Sequence, residues 1–255
     1  MLVHVICDDS ALEGLEHEHG FSAVTNTILF DTGKTDVFLK NLKKMHMEVP
    51  KNVVISHGHY DHIGGLAFLS NKRIWIRKEA LFPKYSGNKY AGYPHDWNDV
   101  ATKNEVIFVE DRLLELEPGV FLIGPVNLRN DVSFGEFYVE KSGTKQKDLF
   151  EDEQTLILTT EEGLVVITGC SHRGIDNIVL DISEIFNKSI QLLIGGFHLL
   201  NASEKRIEKI VKVFNDLRIK GIAPCHCTGN RAIEIFKEKF SGTVLTCKAG
   251  VKLRV

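Results

Sequence analysis

The sequence lacks several features that would place it in other classes of protein. Its 255 residues contain no apolar run long enough to cross a bilayer. The opening residues, MLVHVICDDS, lack the cationic segment and the long apolar core of a secretion signal. The five cysteines are odd in number and irregularly spaced, which argues against a disulfide scaffold. We therefore expect a cytoplasmic protein without a membrane partner.

An imbalance of charge is also absent. The chain carries 31 Lys and Arg and 34 Asp and Glu residues, its formal net charge is −3, and the two signs are interspersed. It has neither a basic run that would indicate nucleic acid nor an acidic tail. It also has no repeat, no low-complexity tract and no linker rich in Pro, Gly or Ser. We therefore predict one domain over residues 1–255 and no nucleic-acid partner.

The pattern of apolar residues predicts an α/β fold in which strands and helices alternate. Apolar and β-branched runs predict strands at residues 2–7, 25–30, 53–56, 73–76, 106–109, 120–123, 155–159, 164–168, 192–194 and 221–224. Helical spacing predicts helices around residues 38–45, 175–185, 207–217 and 233–240, with Asn201 as the cap of the third. This is too sheet-rich for a simple doubly wound fold, and two sheets packed face to face with helices outside fit better.

The segment VVISHGHYDHIGG, residues 53–65, carries the strongest chemical signal. His57 and His59 are two residues apart at the end of a predicted strand, so they project to the same side. Asp61 and His62 follow in the turn before two glycines. Two imidazoles beside a carboxylate and a third imidazole predict two adjacent metal half-sites. These donors suit zinc, iron or manganese.

This segment, together with ILFDTG (28–33), VVITGCSHRG (165–174) and PCHCTG (224–229), resembles the motifs of the metallo-β-lactamase superfamily. The resemblance spans almost the whole chain and implies a four-layer αββα sandwich with the metals at one edge. A narrower resemblance rests on EHGFS (18–22), TGCSHRGIDNIV (168–179), GGFHL (195–199) and PCHCTG. These segments are similar to the branch named after a dihydropterin ribofuranosylaminobenzene phosphate synthase, many members of which are described only as metal-dependent hydrolases.

The resemblance implies a set of metal ligands. His57 and His59 are expected on the first metal, and Asp61, His62 and His226 on the second. Strand alternation is expected to turn the neighbours of His226, Cys225 and Cys227, away from it.

The chain departs from the family pattern where a bridging aspartate and a third histidine are usual. Cys170 lies near the first of these positions, and residues 147–154 near the second contain no histidine. We predict that His172 completes the first metal site. Cys170 is then either a ligand or a small residue beneath the site, and Asp148 or Asp152 is an alternative carboxylate donor.

Further residues are predicted around the metals. His198 is expected in the pocket as a proton donor or substrate ligand, because the glycines before it allow a close approach. Asp31 is expected either to orient a ligand histidine or to cap a helix. The remaining predicted substrate-binding residues are His95, in an expected active-site loop over residues 82–97, His19, and two arginines near predicted helix starts, Arg173 and Arg231.

Together these features predict a dinuclear metal-dependent hydrolase in which a metal-activated hydroxide, oriented by Asp61, attacks an anionic and phosphate-bearing ester. Its cofactors are expected to be two divalent ions, with zinc ahead of iron and manganese, and its partner a small anionic substrate. Two alternatives stay open: a dihydropterin-type synthase or transferase on the same metals, and a metal-retaining sensor or binding protein with little turnover.

Overall fold

A computed structural model describes residues 2–254. The chain divides into two compact units. The first unit contains residues 2–111, 133–153 and 248–254, and the second contains residues 112–132 and 154–247. The prediction of a single domain over residues 1–255 stays a prediction.

Strands and helices alternate along the described residues. The strands are β1 Leu2–Cys7, β2 Ser22–Val24, β3 Ile28–Phe30, β4 Asn52–Val54, β5 Arg73–Ile76, β6 Lys84–Ser86, β7 Lys89–Tyr90, β8 Glu105–Phe108, β9 Leu113–Glu117, β10 Val120–Ile123, β11 Phe137–Lys141, β12 Thr144–Lys147, β13 Thr155–Thr159, β14 Leu164–Thr168, β15 Ile190–Gly196, β16 Gly221–Cys225, β17 Thr243–Val244 and β18 Lys252–Arg254. The α-helices are α1 Val37–Lys44, α2 Tyr60–Ile63, α3 Trp97–Lys103, α4 Ile175–Phe186, α5 Glu204–Asp216 and α6 Asn230–Lys239. Short 3₁₀ turns lie at Gly64–Phe68, Lys78–Leu81 and His226–Thr228.

The first unit is built on a mixed sheet in the order β18-β1-β2-β3-β4-β5-β8. Pairing is antiparallel from β18 to β3 and parallel from β3 to β8. Phe38 and Leu42 of α1 pack with Leu29 of β3 and Val53 of β4 in a buried core. The parallel pairing brings the carboxyl ends of β3 and β4 to one edge, where Asp31 and the segment 57–62 follow.

A smaller antiparallel sheet in the first unit has the order β12-β11-β6-β7. Residues 82–97, predicted as an active-site loop, therefore supply β6, β7 and the start of α3. Strands β7 and β12 were missed because all of their residues are exposed, and β6 because it is only three residues long. Such strands lack the alternation of apolar and polar residues that identifies a half-buried strand.

The second unit is built on a sheet in the order β17-β16-β15-β14-β13-β10-β9. Strands β14 to β17 are parallel, and α4, α5 and α6 are the crossovers between them. Every residue of β14 is buried, as expected for a parallel strand covered on both faces. Phe214 of α5 and Phe236 of α6 stack at 5.7 Å within the core. The carboxyl ends of β14, β15 and β16 therefore meet at one edge.

The predicted α/β class is confirmed, and most predicted elements are present with shifted ends. Residues 25–27, predicted within a strand, form the turn between β2 and β3, because the backbone N–H of Ile28 donates to Thr25 Oγ1 at 3.1 Å. Across residues 2–254, none of the helices is both long and apolar enough to cross a bilayer.

The cap of α5 differs from the prediction and can be tested. The side chain of Ser203, rather than Asn201, accepts a hydrogen bond from the backbone N–H of Arg206, at 3.3 Å. We expect Ser203→Ala to lower the free energy of unfolding by about 1 kcal/mol. Asn201→Ala is the matched control and should change it by less than about 0.5 kcal/mol. Urea unfolding measures both, and equal losses in the two variants would contradict the assignment.

Candidate metal centre

The first donor group consists of His57, His59, Asp61 and His62, which follow β4 and enter the one-turn helix α2. All four side chains are buried. The ring centre of His57 lies 4.7 Å from that of His59 and 4.3 Å from that of His62. Asp61 Oδ2 is 3.7 Å from His62 Nε2. The structure thus gathers the predicted histidines and carboxylate of this motif into one cluster.

Asp31 orients two of these imidazoles. Its fully buried carboxylate accepts hydrogen bonds from the backbone N–H and the hydroxyl of Ser56, both at 2.7 Å, and lies 2.7 Å from His62 Nδ1. A carboxylate cannot donate, so His62 Nδ1 carries the proton and Nε2 keeps its lone pair. The Ser56 hydroxyl, already donating to Asp31, lies 2.9 Å from His57 Nδ1, which assigns the same tautomer to His57. Of the two predicted roles of Asp31, orienting a histidine is the one the structure shows.

His59 lies among apolar groups. Its ring centre is 5.1 Å from that of Phe137 and 5.5 Å from that of Phe150. Burial is the main cause that lowers the pKa of His59 to about 3; Asp61 opposes the shift and Lys84 adds to it. The imidazole is therefore neutral at physiological pH, which is the form that binds a metal.

This lowered pKa predicts the pH dependence of the metal-free protein. The pKa of His59 is about 3 when folded and about 6.5 when unfolded, so the unfolded chain binds the proton more readily between these values. We expect the contribution of His59 to stability to be complete above pH 6.5 and to be lost progressively as the pH falls toward 3. Urea unfolding of chelator-treated protein, compared with His59→Gln, checks this. Identical pH profiles of the two proteins would contradict it.

The loop between His57 and His59 is anchored by a buried ion network. The backbone N–H of Gly58 donates to Asp152 Oδ2 at 2.7 Å. Lys84 Nζ donates to Asp148 Oδ2 at 2.7 Å and to Asp152 Oδ1 at 3.0 Å, and all three side chains are buried. Asp148 and Asp152, predicted as alternative ligands, are thus engaged by Lys84, which favours a supporting role for both.

Asp61 has a second neighbour in His19. His19 Nε2 is 3.3 Å from Asp61 Oδ2, and His19 Nδ1 is 3.0 Å from Asp9 Oδ2. The preceding residue, Glu18, accepts hydrogen bonds from the backbone N–H groups of Lys34 and Thr35 and so ties this segment to the turn after β3. The structure brings His19 to a predicted metal ligand, as expected, and adds Asp9, which the sequence did not single out.

The second donor group consists of Cys170, His172, His198, His226 and Cys227, which follow β14, β15 and β16. The Cys170 Sγ atom is central, because it lies within 4.8 Å of a ligand atom of each of the other four residues. The ring centres of His172 and His198 are 4.2 Å apart. Cys170 and His172 are buried, and the other three are half-buried. The predicted donors of this half of the chain are therefore gathered as well.

The backbone of the second donor group is unusual where each strand ends. Ser171, His198 and His226 have φ angles of 62°, 52° and 49°. Residues other than glycine rarely adopt this region, and those that do concentrate at functional sites. Gly196 is required for space rather than for its φ angle, because a Cβ there would lie 2.6 Å from Cys227 Sγ. The second glycine of GGFHL therefore makes room for a thiol.

The structure gives Cys227 neighbours that the sequence did not predict. Strand β16 ends at Cys225, and the 3₁₀ turn that follows directs Cys227 toward Cys170 and His198. Burial disfavours the Cys227 thiolate, but the Cys170 thiol and the imidazoles of His226 and His198 stabilise it more, so the pKa of Cys227 lies well below its usual value. Strand alternation does not apply to Cys227, because β16 ends at Cys225, two residues before it.

The structure separates the predicted substrate-binding residues. Arg173 is half-buried, and its Nε donates to the carbonyl of Val126 at 3.0 Å. Arg231 is exposed and is held by Glu204 at 2.6 Å and by Glu234 at 3.3 Å, so these glutamates occupy the guanidinium predicted to bind phosphate. His95 is exposed, with its ring 5.7 Å from that of Tyr93. Of these three, only Arg173 is partly buried.

The donors fit a divalent transition metal. They are imidazole, thiol and carboxylate groups, and the tautomers of His57 and His62 leave Nε2 as the donor atom. Zinc binds through these atom types, whereas magnesium and calcium prefer oxygen donors alone. The carboxylate on His62 Nδ1 is the usual support of a metal-binding histidine.

Comparison with known proteins agrees with this chemistry. The model of the metallo-β-lactamase superfamily matches residues 24–140. A crystal structure of a metal-dependent hydrolase of the β-lactamase superfamily is 59% identical, has a TM-score of 0.97, and aligns over 100% of this chain and 99% of its own. This match also confirms the predicted fold family.

Two curated proteins of Methanocaldococcus jannaschii are similar over most of their length. One is uncharacterised and 30% identical in an alignment 243 positions long, which covers 91% of this chain and 92% of that protein. The other is 7,8-dihydropterin-6-methyl-4-(β-D-ribofuranosyl)-aminobenzene-5′-phosphate synthase. It is 32% identical in a gapped alignment 257 positions long, which covers 88% of this chain and 85% of that protein. The resemblance to this branch is thereby confirmed. The chain belongs to the metallo-β-lactamase superfamily.

Proposed function

We propose that the chain is a metal-dependent hydrolase that holds two divalent ions, zinc first, and cleaves a phosphate-bearing anionic ester. The observation that carries this proposal is the buried first donor group, in which Asp31 and Ser56 set the tautomers of His57 and His62 for metal binding. The proposed ligands are the donors of both groups that the sequence predicted: His57, His59, Asp61, His62, Cys170, His172 and His226.

Bound divalent ions of this kind lower the pKa of water and stabilise a developing oxyanion. The protein supplies the proton path. His19 lies between the carboxylates of Asp61 and Asp9 and is half-exposed, so it is placed to move a proton between Asp61 Oδ2 and solvent. We assign His198 to metal binding rather than to proton transfer, because it lies beside two thiols.

Arg173 is the residue we propose for the substrate's anionic group. It lies just before α4, a helix whose N-terminal backbone N–H groups favour an anion. Its Nε donates to the carbonyl of Val126 at 3.0 Å, which limits the freedom of the side chain, and a guanidinium is well suited to pairing with phosphate oxygens.

Metal analysis and hydrolysis, measured together, test the proposal. We expect about two zinc ions per chain and turnover of bis-p-nitrophenyl phosphate that is lost with a chelator and restored by zinc or manganese. His57→Ala should lose both metal and turnover. His46→Ala is the control, because His46 is an exposed histidine just after α1. Bound metal without hydrolysis of any phosphoester or carboxylester would overturn the hydrolase and favour a sensor.

A synthase is the second candidate, and the similarity to the Methanocaldococcus jannaschii synthase favours it. It would use the same donors to form a phosphate-bearing dihydropterin product of the kind that the relative's name gives. The two candidates differ in what they do to an ester: the synthase forms the pterin product in the presence of metal but leaves simple phosphoesters intact. Product formation followed by chromatography separates them.

A further inference from the structure

A compact set of soft donors lies entirely within the second unit. It consists of the thiols of Cys170 and Cys227 and the imidazole of His198, whose ligand atoms all lie within 4.8 Å of one another. Cys227 Sγ is also 3.6 Å from the carbonyl oxygen of Cys170. The set draws one residue from the end of each of the three parallel strands β14, β15 and β16.

The surrounding backbone is shaped for these side chains. Gly196 leaves the space that Cys227 Sγ occupies, since a Cβ at that position would approach the sulfur to 2.6 Å. The positive φ of His198, 52°, turns its side chain out of the line of β15. In addition, the backbone N–H groups of Leu199 and Leu200 donate to the carbonyl of Cys227 at 3.1 and 3.2 Å, which ties the loops of His198 and Cys227 together.

We propose that Cys170, Cys227 and His198 together bind a thiophilic metal ion such as zinc, with Cys227 as a ligand that the family resemblance did not predict. Two thiolates and one imidazole match the Cys₂His ligand set that zinc accepts while keeping a fourth position open. Tetrahedral zinc with Zn–S bonds of about 2.3 Å holds such atoms about 3.5–3.8 Å apart, which small side-chain movements can reach. Thiolate ligands select zinc, cadmium or cobalt over magnesium and calcium.

This inference deepens the proposed function and rests on it for the presence of a metal, but it concerns the identity of the ligands and not the reaction. Of the two alternatives for Cys170, the proposal takes the metal ligand and not the small residue beneath the site. Loss of hydrolysis therefore does not bear on it, and the test needs a readout of thiolate coordination.

Cobalt substitution provides that readout, because a Co(II)–thiolate bond gives a charge-transfer band in the near ultraviolet that imidazole and carboxylate ligands do not. We expect the reduced protein, loaded with Co(II), to show this band. Cys170→Ser and Cys227→Ser should each lower its intensity to about half, since each removes one of two thiolates. Cys247→Ser is the matched control and should leave it unchanged, because Cys247 is a half-buried cysteine outside the set.

Alkylation of the unmutated protein tests the proposal without a substitution, so its result does not depend on whether a variant folds. With zinc bound, Cys170 and Cys227 should react with iodoacetamide at least tenfold more slowly than in the metal-free protein, and Cys247 at the same rate in both. An unchanged band in Cys227→Ser, or equal alkylation of Cys227 with and without zinc, would overturn the proposal. Thiolate coordination without hydrolysis of any ester would support the proposed thiolate ligands and would overturn the proposed hydrolase function.

Discussion

Replacing Lys84 with methionine is expected to lower the free energy of unfolding by about 3–5 kcal/mol. Lys84 is only 1% exposed, and its ammonium is the shared partner of Asp148 and Asp152. Removing it leaves two buried carboxylates facing each other without a counter-charge. Methionine keeps the length and the apolar stem of lysine, so the loss reports the charge rather than a cavity.

The pKa shifts of Asp148 and Asp152 also depend on the charge of Lys84. Burial opposes the charged form of Asp152, but Lys84 and the Gly58 N–H outweigh it, so the pKa of Asp152 lies below its usual value. Burial and the charge of Asp152 together raise the pKa of Asp148 above its usual value, although Lys84 opposes this shift. Without Lys84 we expect both carboxyl groups to take up protons. Asp152 would then hold the loop of His57 and His59 through a neutral acceptor.

Two further variants sharpen the test. Lys141→Met removes an ion pair with Glu151 whose side chains are 33% and 52% exposed, and it should cost at most about 1 kcal/mol. Adding Asp148→Asn and Asp152→Asn to Lys84→Met should recover a large share of the stability, because no buried charge is then left alone. Urea unfolding measures all three. A loss below about 1 kcal/mol in Lys84→Met would show that the network is not a stabilising one.

This network marks the limit of what the sequence could predict about the first unit. Strand β4 and the motif that follows it were predictable, because a buried parallel strand appears as a continuous apolar run and the spacing of His57 and His59 places them on one side. Lys84 was not, since it starts a short strand far along the chain and contacts its partners across 64 and 68 residues. Charged residues in polar segments are usually solvated, and only tertiary packing buried this one.

In the second unit, too, some features could be predicted from the sequence and others could not. The alternation of strands and helices from β14 to α6 was predicted, because each helix carries apolar residues at helical spacing and the strands are largely apolar. The proximity of Cys227 to Cys170 and His198 was not predictable, because two-residue alternation holds only while the strand continues. The sequence does not show that the chain turns at His226, whose φ is 49°. A positive φ outside glycine is imposed by neighbouring structure.

Replacing Asp31 with asparagine is expected to weaken zinc binding about 10- to 100-fold. Asparagine keeps the size of the side chain and tolerates the positive φ of Asp31, 56°, so the backbone is preserved. The amide, unlike the carboxylate, can donate to His62 Nδ1. That bond would favour the tautomer with the proton on Nε2, the nitrogen that must bind the metal.

The same substitution affects His57 indirectly, through Ser56. The Ser56 hydroxyl donates to Asp31 and lies 2.9 Å from His57 Nδ1. We therefore expect Asp31→Asn to impair two histidines, whereas Ser56→Ala should impair His57 alone and weaken zinc binding less. Asp36→Asn is the control and should bind zinc like the parent protein, because Asp36 is a half-buried aspartate just before α1 and outside both donor groups. Competition with a chromophoric chelator measures all three affinities. If Asp31→Asn binds zinc within twofold of the parent, the tautomers are set by something other than this carboxylate, and the first donor group loses the feature that identifies it as a metal site.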